Sequence, residues 1–127
     1  MRLSEIAQLL EGMLSADEFL ASNTASFREY RELSEKRGAA IPIRVEEDAD
    51  FLVTSEHIAT ACELRIRGDL RSEELAYLAD ALQLSDRVTF LNDDVAAYIA
   101  EFTDPEINGS FTLERATEIV NEVRKHT

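Results

Sequence analysis

The chain has one cysteine, two histidines and four glycines among 127 residues, and it has no long hydrophobic run. Each shortage excludes something. A single cysteine, Cys62, cannot form an internal disulfide, which fits a reducing cytoplasm. Its place in an apolar helical pattern predicts a small buried filler. One Cys and two His do not supply the four nitrogen and sulfur ligands of a zinc site. His57 and Cys62 are five residues apart, so on a helix they point to different sides and make no nucleophile–base pair. His126 sits beside the C-terminal residue, and His57 falls in the first turn of a predicted helix, where the dipole disfavours an imidazolium. The glycines stand singly, so there is no glycine-rich phosphate loop. No stretch approaches the ~18 continuous apolar residues of a membrane span. The opening MRLSEIAQLLEGML is interrupted by Glu5, Gln8 and Glu11 at helical spacing, with no small-residue cleavage site after it. It reads as an amphipathic helix and not as a signal peptide.

Positive charge is scarce as well: 13 basic residues face 26 acidic ones. The imbalance is uneven. Residues 1–45 carry six basic and seven acidic side chains, net −1, whereas residues 46–127 carry seven and nineteen, net −12. Such a field argues against DNA, RNA or an anionic membrane as partner, since these rely on Lys and Arg to replace counterions. It favours a cationic partner, a metal or plain solubility.

What is present is helical periodicity. Leu3, Ile6, Leu9, Leu10, Met13 and Leu14 recur at helical spacing, with Ser4 as the expected cap. Ser15-Ala-Asp-Glu18 reads as a capping box opening a second helix that buries Phe19, Leu20, Phe27, Tyr30 and Leu33, with Asn23, Thr24 and Ser26 weakening its middle. Pro42 biases Ile41 toward extension, and 41–45 is expected to be a short extended segment. Glu46-Glu47-Asp48 follows as an acidic turn, and Phe51, Leu52 and Val53 are expected to dock on the core. Thr54 or Ser55 caps a helix carrying Ile58, Ala61, Cys62 and Ile66 up to Gly68. Ser72 opens another with Leu75, Leu78, Ala79 and Leu82 inside. Asn92 or Asp93 caps a fifth with Val95, Tyr98, Ile99 and Phe102. Thr112 opens a sixth with Leu113, Ala116, Ile119, Val120 and Val123. Apart from residues 38–54 no alternation supports a sheet. The expectation is one mostly all-α domain over 1–127, about six helices in helix-turn-helix pairs forming a small bundle.

Three turns share a grammar of glycine, an apolar residue two later and a helix start: Gly12 to Glu18, Gly68 to Glu74 and Gly109 to Arg115. That is also the second half of a calcium-binding EF-hand loop. Asp104, Glu106, Asn108 and Gly109 fall at its first, third, fifth and sixth positions. The last position needs a bidentate glutamate and holds Arg115, a cation. In the Gly68 loop Glu74 is last, but Arg65 and Arg67 stand among the ligands. No metal and no cofactor is therefore expected, and the turns read as helix stops and starts. Acid pairs such as Glu46-Glu47, Glu73-Glu74 and Asp93-Asp94 could in principle serve a hydrolase. In so acidic a chain they arise by composition, and adjacent acids on a helix fan apart by about 100°. No enzymatic activity is expected. Ile58 to Leu82 has helix-turn-helix spacing, but Ser72 to Leu84 carries Glu73, Glu74 and Asp80 and no Lys or Arg, so phosphate would repel it.

Four stretches carry a resemblance: Ser15-Ala-Asp-Glu-Phe19, Leu70-Arg-Ser-Glu-Glu-Leu-Ala-Tyr-Leu-Ala-Asp-Ala-Leu82, Val88-Thr-Phe90 with its acidic turn, and Thr103-Asp-Pro-Glu-Ile-Asn-Gly109. Together they resemble the small acidic immunity proteins of bacterial polymorphic toxin systems, the contact-dependent growth inhibition and colicin-D-like immunity proteins being the nearest groups. The likeness covers residues 54–120 and extends only loosely to the N-terminal third. It implies a cytoplasmic protein that binds the toxic domain of a cognate effector, often a basic nuclease acting on tRNA. Carboxylates facing a groove built for phosphates would speed association and sharpen specificity. Candidate contacts are Glu46, Glu47, Asp48 and Asp50, then Glu73, Glu74, Asp93, Asp94 and Glu106, with Tyr77 or Tyr98 as an aromatic anchor. Asp104 is read as a cap and Asp80 as a buried anchor. The rival expectations are an acidic helical adaptor for another basic partner and a degenerate EF-hand-like calcium binder.

Overall fold

A computed structural model describes residues 1–34, 45–103 and 111–125. The expected extension at 41–44, the Leu33 side chain, the EF-hand-like positions from Asp104 to Gly109 (Glu106 among them) and His126 lie outside the described residues.

The described chain is mostly helical. In order it forms α1 (Leu3–Leu10), α2 (Ala16–Ser22), α3 (Thr24–Ser34), β1 (Phe51–Val53), α4 (Ser55–Ile66), α5 (Ser72–Leu84), β2 (Val88–Phe90), α6 (Asp93–Thr103) and α7 (Leu113–Lys125). The expected second helix splits at Asn23. That side chain is buried and donates from Nδ2 to the Phe19 carbonyl at 2.8 Å, closing α2 before α3 begins. Polar residues that compete for backbone bonds break a helix in this way.

Most caps fall where the sequence puts them. Ser15 Oγ accepts from Glu18 N at 3.2 Å, Asn92 Oδ1 from Val95 N at 3.0 Å and Thr112 Oγ1 from Arg115 N at 3.1 Å. Each satisfies an amide that the helix itself leaves open. Gly12 and Gly68 have φ of 77° and 80°, the left-handed conformation that ends a helix without Cβ strain. Leu70, two residues after Gly68, is fully buried and fixes the α4–α5 turn to the core.

Ser4 is not a cap. Helix α1 starts at Leu3, and Ser4 donates from its N–H and its hydroxyl to Asp48, at 2.9 and 2.6 Å. The carboxylate of Asp48 thus caps α1 from a distant segment. Beside it, Glu46 N donates to the Met1 carbonyl at 2.8 Å, and Leu3 N donates to the Glu46 carbonyl at 2.9 Å.

Two three-residue strands pair in parallel, Phe51 with Val88 and Val53 with Phe90, across the α4–α5 crossover. Alternation puts Phe51 and Val53 in the core and leaves Leu52, expected inside, 49% exposed. Leu113, also expected inside, is half exposed, and Phe111 fills the core at that end. One continuous apolar cluster runs from Leu3 to Val123. Helix α4 lies against α7, and α5 against α6. Helices α4 and α5 bury residues on almost every side, among them Ile58, Ala59 and Cys62 in α4 and Leu75, Ala76, Tyr77 and Leu78 in α5. Burial pushes the Cys62 thiol up to about 12, so it is an inert filler.

Candidate protein-binding face

The acidic stretch 46–50 is largely committed within the molecule. Asp48 caps α1, and the Ser4 hydroxyl and N–H hold its carboxyl below the usual range. Glu47 Oε1 accepts the Arg87 N–H at 2.9 Å, while Arg87 Nη1 donates to the Glu47 carbonyl at 3.0 Å. Asp50 pairs with Arg87 Nε at 2.8 Å, which lowers its carboxyl too. Glu46 keeps an exposed side chain, with its backbone tied to the N-terminus. These bonds fasten the segment to α1 and to the entry of β2.

Two candidates at the start of α5 are corrected. Glu74 is 6% exposed, and its Oε1 accepts the Arg71 N–H at 2.8 Å; it is the reciprocal half of a capping box. Tyr77 is 2% exposed, with Tyr30 edge-on at 5.0 Å and Phe27 tilted at 5.1 Å between ring centroids. Helix α3 covers Tyr77, which belongs to the core, and the Glu74 carboxylate is spent on its own helix. Glu73 is partly exposed but lies 3.3 Å from Arg31 Nε and 3.6 Å from Arg71 Nη1. Asp80 is half-buried.

Asp93 and Asp94 are exposed in the first turn of α6, where the helix dipole favours acids. From there a surface builds across α6 and α7. Asp94, Tyr98 and Glu101 follow at i, i+4 and i+7 on one face of α6. Glu118 and Glu122 stand one turn apart on α7, with side chains 64% and 48% exposed. Tyr98, half-buried, donates from its hydroxyl to Glu122 Oε2 at 2.7 Å. That bond, with burial and the neighbouring carboxylates, raises its pKa to about 12, so the phenol stays neutral.

Arg115 holds the two helices in register. Its Nε and Nη2 donate to Glu101 Oε2 and Oε1 at 2.6 and 2.9 Å, a two-point clamp, and Nη1 reaches Glu118 at 3.1 Å and Glu122 at 3.4 Å. The Glu101 hydrogen bonds raise the guanidinium pKa further. The residue that spoils the last position of the EF-hand-like loop is therefore a fixed cross-link between α6 and α7. Three carboxylates meet on this cation, and Glu122 joins it to Tyr98, which also feels the charge of Asp94.

Sequence reasoning missed Glu101, Arg115, Glu118 and Glu122 as members of a face. The signal was the i, i+4 spacing of Glu114, Glu118 and Glu122 on α7, matched by Asp94 and Tyr98 on α6.

His57 has a local role. Its Nδ1 accepts the Thr54 N–H at 2.9 Å, standing in a capping box where glutamate is usual, and its Nε2 lies 3.7 Å from Glu11 Oε1. The ring meets Phe51 edge-on at 4.8 Å. Burial outweighs the Glu11 and Glu56 charges and lowers its pKa, so the neutral tautomer carries its proton on Nε2. Among the described residues no three His, Cys, Asp or Glu side chains form a metal-binding group, and no helix is long and apolar enough to cross a membrane. Comparison with protein families, with curated proteins and with solved structures finds no match to this chain.

Proposed function

We propose that this chain is a non-enzymatic inhibitor of the immunity-protein type, acting in the cytoplasm on a cationic toxin domain, a nuclease for preference. It captures that domain with the α6–α7 face. The observation that carries this reading is Tyr98, held by Glu122 at 2.7 Å with Asp94 nearby, beside Arg115, which gathers Glu101, Glu118 and Glu122. A tyrosine seated among fixed carboxylates offers an amphipathic anchor and a charge array in one place. Basic surfaces that cradle phosphates match such an array.

The chemistry asks nothing of bond making. Carboxylates positioned by Arg115 need no rearrangement when a cation arrives, so binding loses little side-chain entropy. Capture is electrostatically steered and slows as salt screens the field.

Co-expression tests the reading. The toxic domain encoded beside this chain should kill alone and be tolerated with the parent chain. Protection should fail with Tyr98→Ala combined with Glu118→Lys and Glu122→Lys. If the neighbouring gene encodes no toxic domain, or the triple variant protects as well as the parent, the reading is wrong.

A further inference from the structure

Among the described residues a hollow lined by arginines lies on different elements from the α6–α7 face. A cleft of about 330 Å³ lies between α3 and the start of α5. Thr24, Phe27, Arg28 and Arg31 follow at i, i+3, i+4 and i+7 along its α3 wall, and Arg71 and Glu74 close the opposite side. Leu20 and Phe27 supply its apolar lining.

Its charge is the reverse of the whole molecule's. Among the described residues Arg28, Arg31 and Arg71 line it with the carboxylate of Glu74, which is occupied by the Arg71 N–H. At the rim, Glu73 Oε1 sits 3.3 Å from Arg31 Nε and 3.6 Å from Arg71 Nη1. The chain's own carboxylate thus shows what the arginines recognise. Arg28 is exposed and makes no hydrogen bond or ion pair among the described residues.

We infer that this cleft binds a small organic phosphate. The dianionic head replaces Glu73 between Arg31 and Arg71 and engages Arg28, while the organic body lies on Leu20 and Phe27. Guanidinium forks suit the tetrahedral oxyanion, and a dianion outcompetes the single charge of Glu73. The volume falls at the small end of ligand pockets, which suits a phosphate carrying one ring or a short chain.

The test is calorimetric titration of the full chain with phenyl phosphate and, separately, with inorganic phosphate. Phenyl phosphate should saturate with a dissociation constant of about 1 mM or tighter, and inorganic phosphate should bind at least ~tenfold more weakly for want of the apolar contact. Arg28→Gln should keep the parent circular dichroism and weaken phenyl phosphate about tenfold. Glu73→Gln should tighten it by removing the competing carboxylate. No saturable heat, an Arg28→Gln variant that binds as the parent does, a Glu73→Gln variant that binds no tighter, or equal affinity for the two phosphates would each overturn the inference.

Discussion

Helices α5 and α6 begin alike and end in opposite roles. Each opens with two adjacent acids, Glu73-Glu74 and Asp93-Asp94, and each carries a tyrosine about one turn later, Tyr77 and Tyr98. In α5 the second acid turns back to cap its own helix and the tyrosine enters the core against Tyr30 and Phe27. In α6 both acids stay exposed and the tyrosine remains half-buried with its hydroxyl on Glu122. The local grammar is shared, and the neighbours decide. Helix α5 lies against α6 and has α3 over the face that bears Tyr77, whereas α6 shares with α7 a surface open to solvent. A tyrosine marks an interface only where the third dimension leaves it uncovered.

The largest expected effect tests that contrast. Tyr77→Ala removes a fully packed ring and should cost about 3–5 kcal/mol in denaturant unfolding. Tyr98→Ala should cost less than about 1 kcal/mol, because its ring is partly solvated already. Equal losses would mean that the two helices are not as different as their burial says. Next in size is binding. Glu118→Lys with Glu122→Lys should weaken capture of the proposed cationic partner at least tenfold, about 1.4 kcal/mol or more, without changing the unfolding midpoint appreciably. Glu46→Lys should change capture little.

Much of the fold was legible from the sequence for a physical reason. Helix periodicity and side-chain caps are local, so Ser15, Asn92, Thr112 and Gly68 announce themselves. The paired strands were not legible. Three residues are too few for alternation to register, and the partners Phe51 and Val88 lie on either side of two helices. The pairing of the acids at 46–50 was hidden for a related reason. Density of charge along the chain suggests a solvated cluster, and Glu46, Asp48 and Asp50 are exposed, while the partners of the segment, Ser4 and Arg87, are about 40 residues away in sequence. Only tertiary structure shows that Glu47 and Asp48 accept from backbone N–H groups and Asp50 from a guanidinium.

A smaller effect probes the α6–α7 side. Arg115→Gln should lower stability by about 1 kcal/mol, the worth of a charged hydrogen-bond clamp discounted for partial exposure. It should also lessen the salt dependence of capture, since Glu101, Glu118 and Glu122 lose their fixed positions.

The smallest effects are in pH. The folded pKa of His57 is depressed, so its contribution is complete above the unfolded value of about 6.5 and is lost as pH falls below it. Protonation takes Nδ1 away from the Thr54 N–H. His57→Gln retains an acceptor for that amide, so its melting temperature should vary less between about pH 7.5 and 5.5 than the parent's. Asp48 and Asp50 act lower. Their depressed pKa values give stability that is present above about pH 4 and is lost on further acidification. Asp48→Asn should flatten that acid limb in thermal melts. Tyr98 works at the other end: its raised pKa gives stability that is complete below about pH 10 and is lost as pH climbs toward 12. Tyr98→Phe should remove that share of the alkaline loss.

In the proposed function α6 and α7 present a preorganised carboxylate array beside Tyr98 to a cationic protein. The association rate of the proposed toxic partner with the parent chain and with the Glu118→Lys, Glu122→Lys variant, followed from about 50 to 500 mM salt, decides between steered and unsteered capture. The parent rate should be fast and fall steeply with salt, and the variant's should be slow at low salt and nearly flat. Parent and variant curves that superimpose would contradict steered capture.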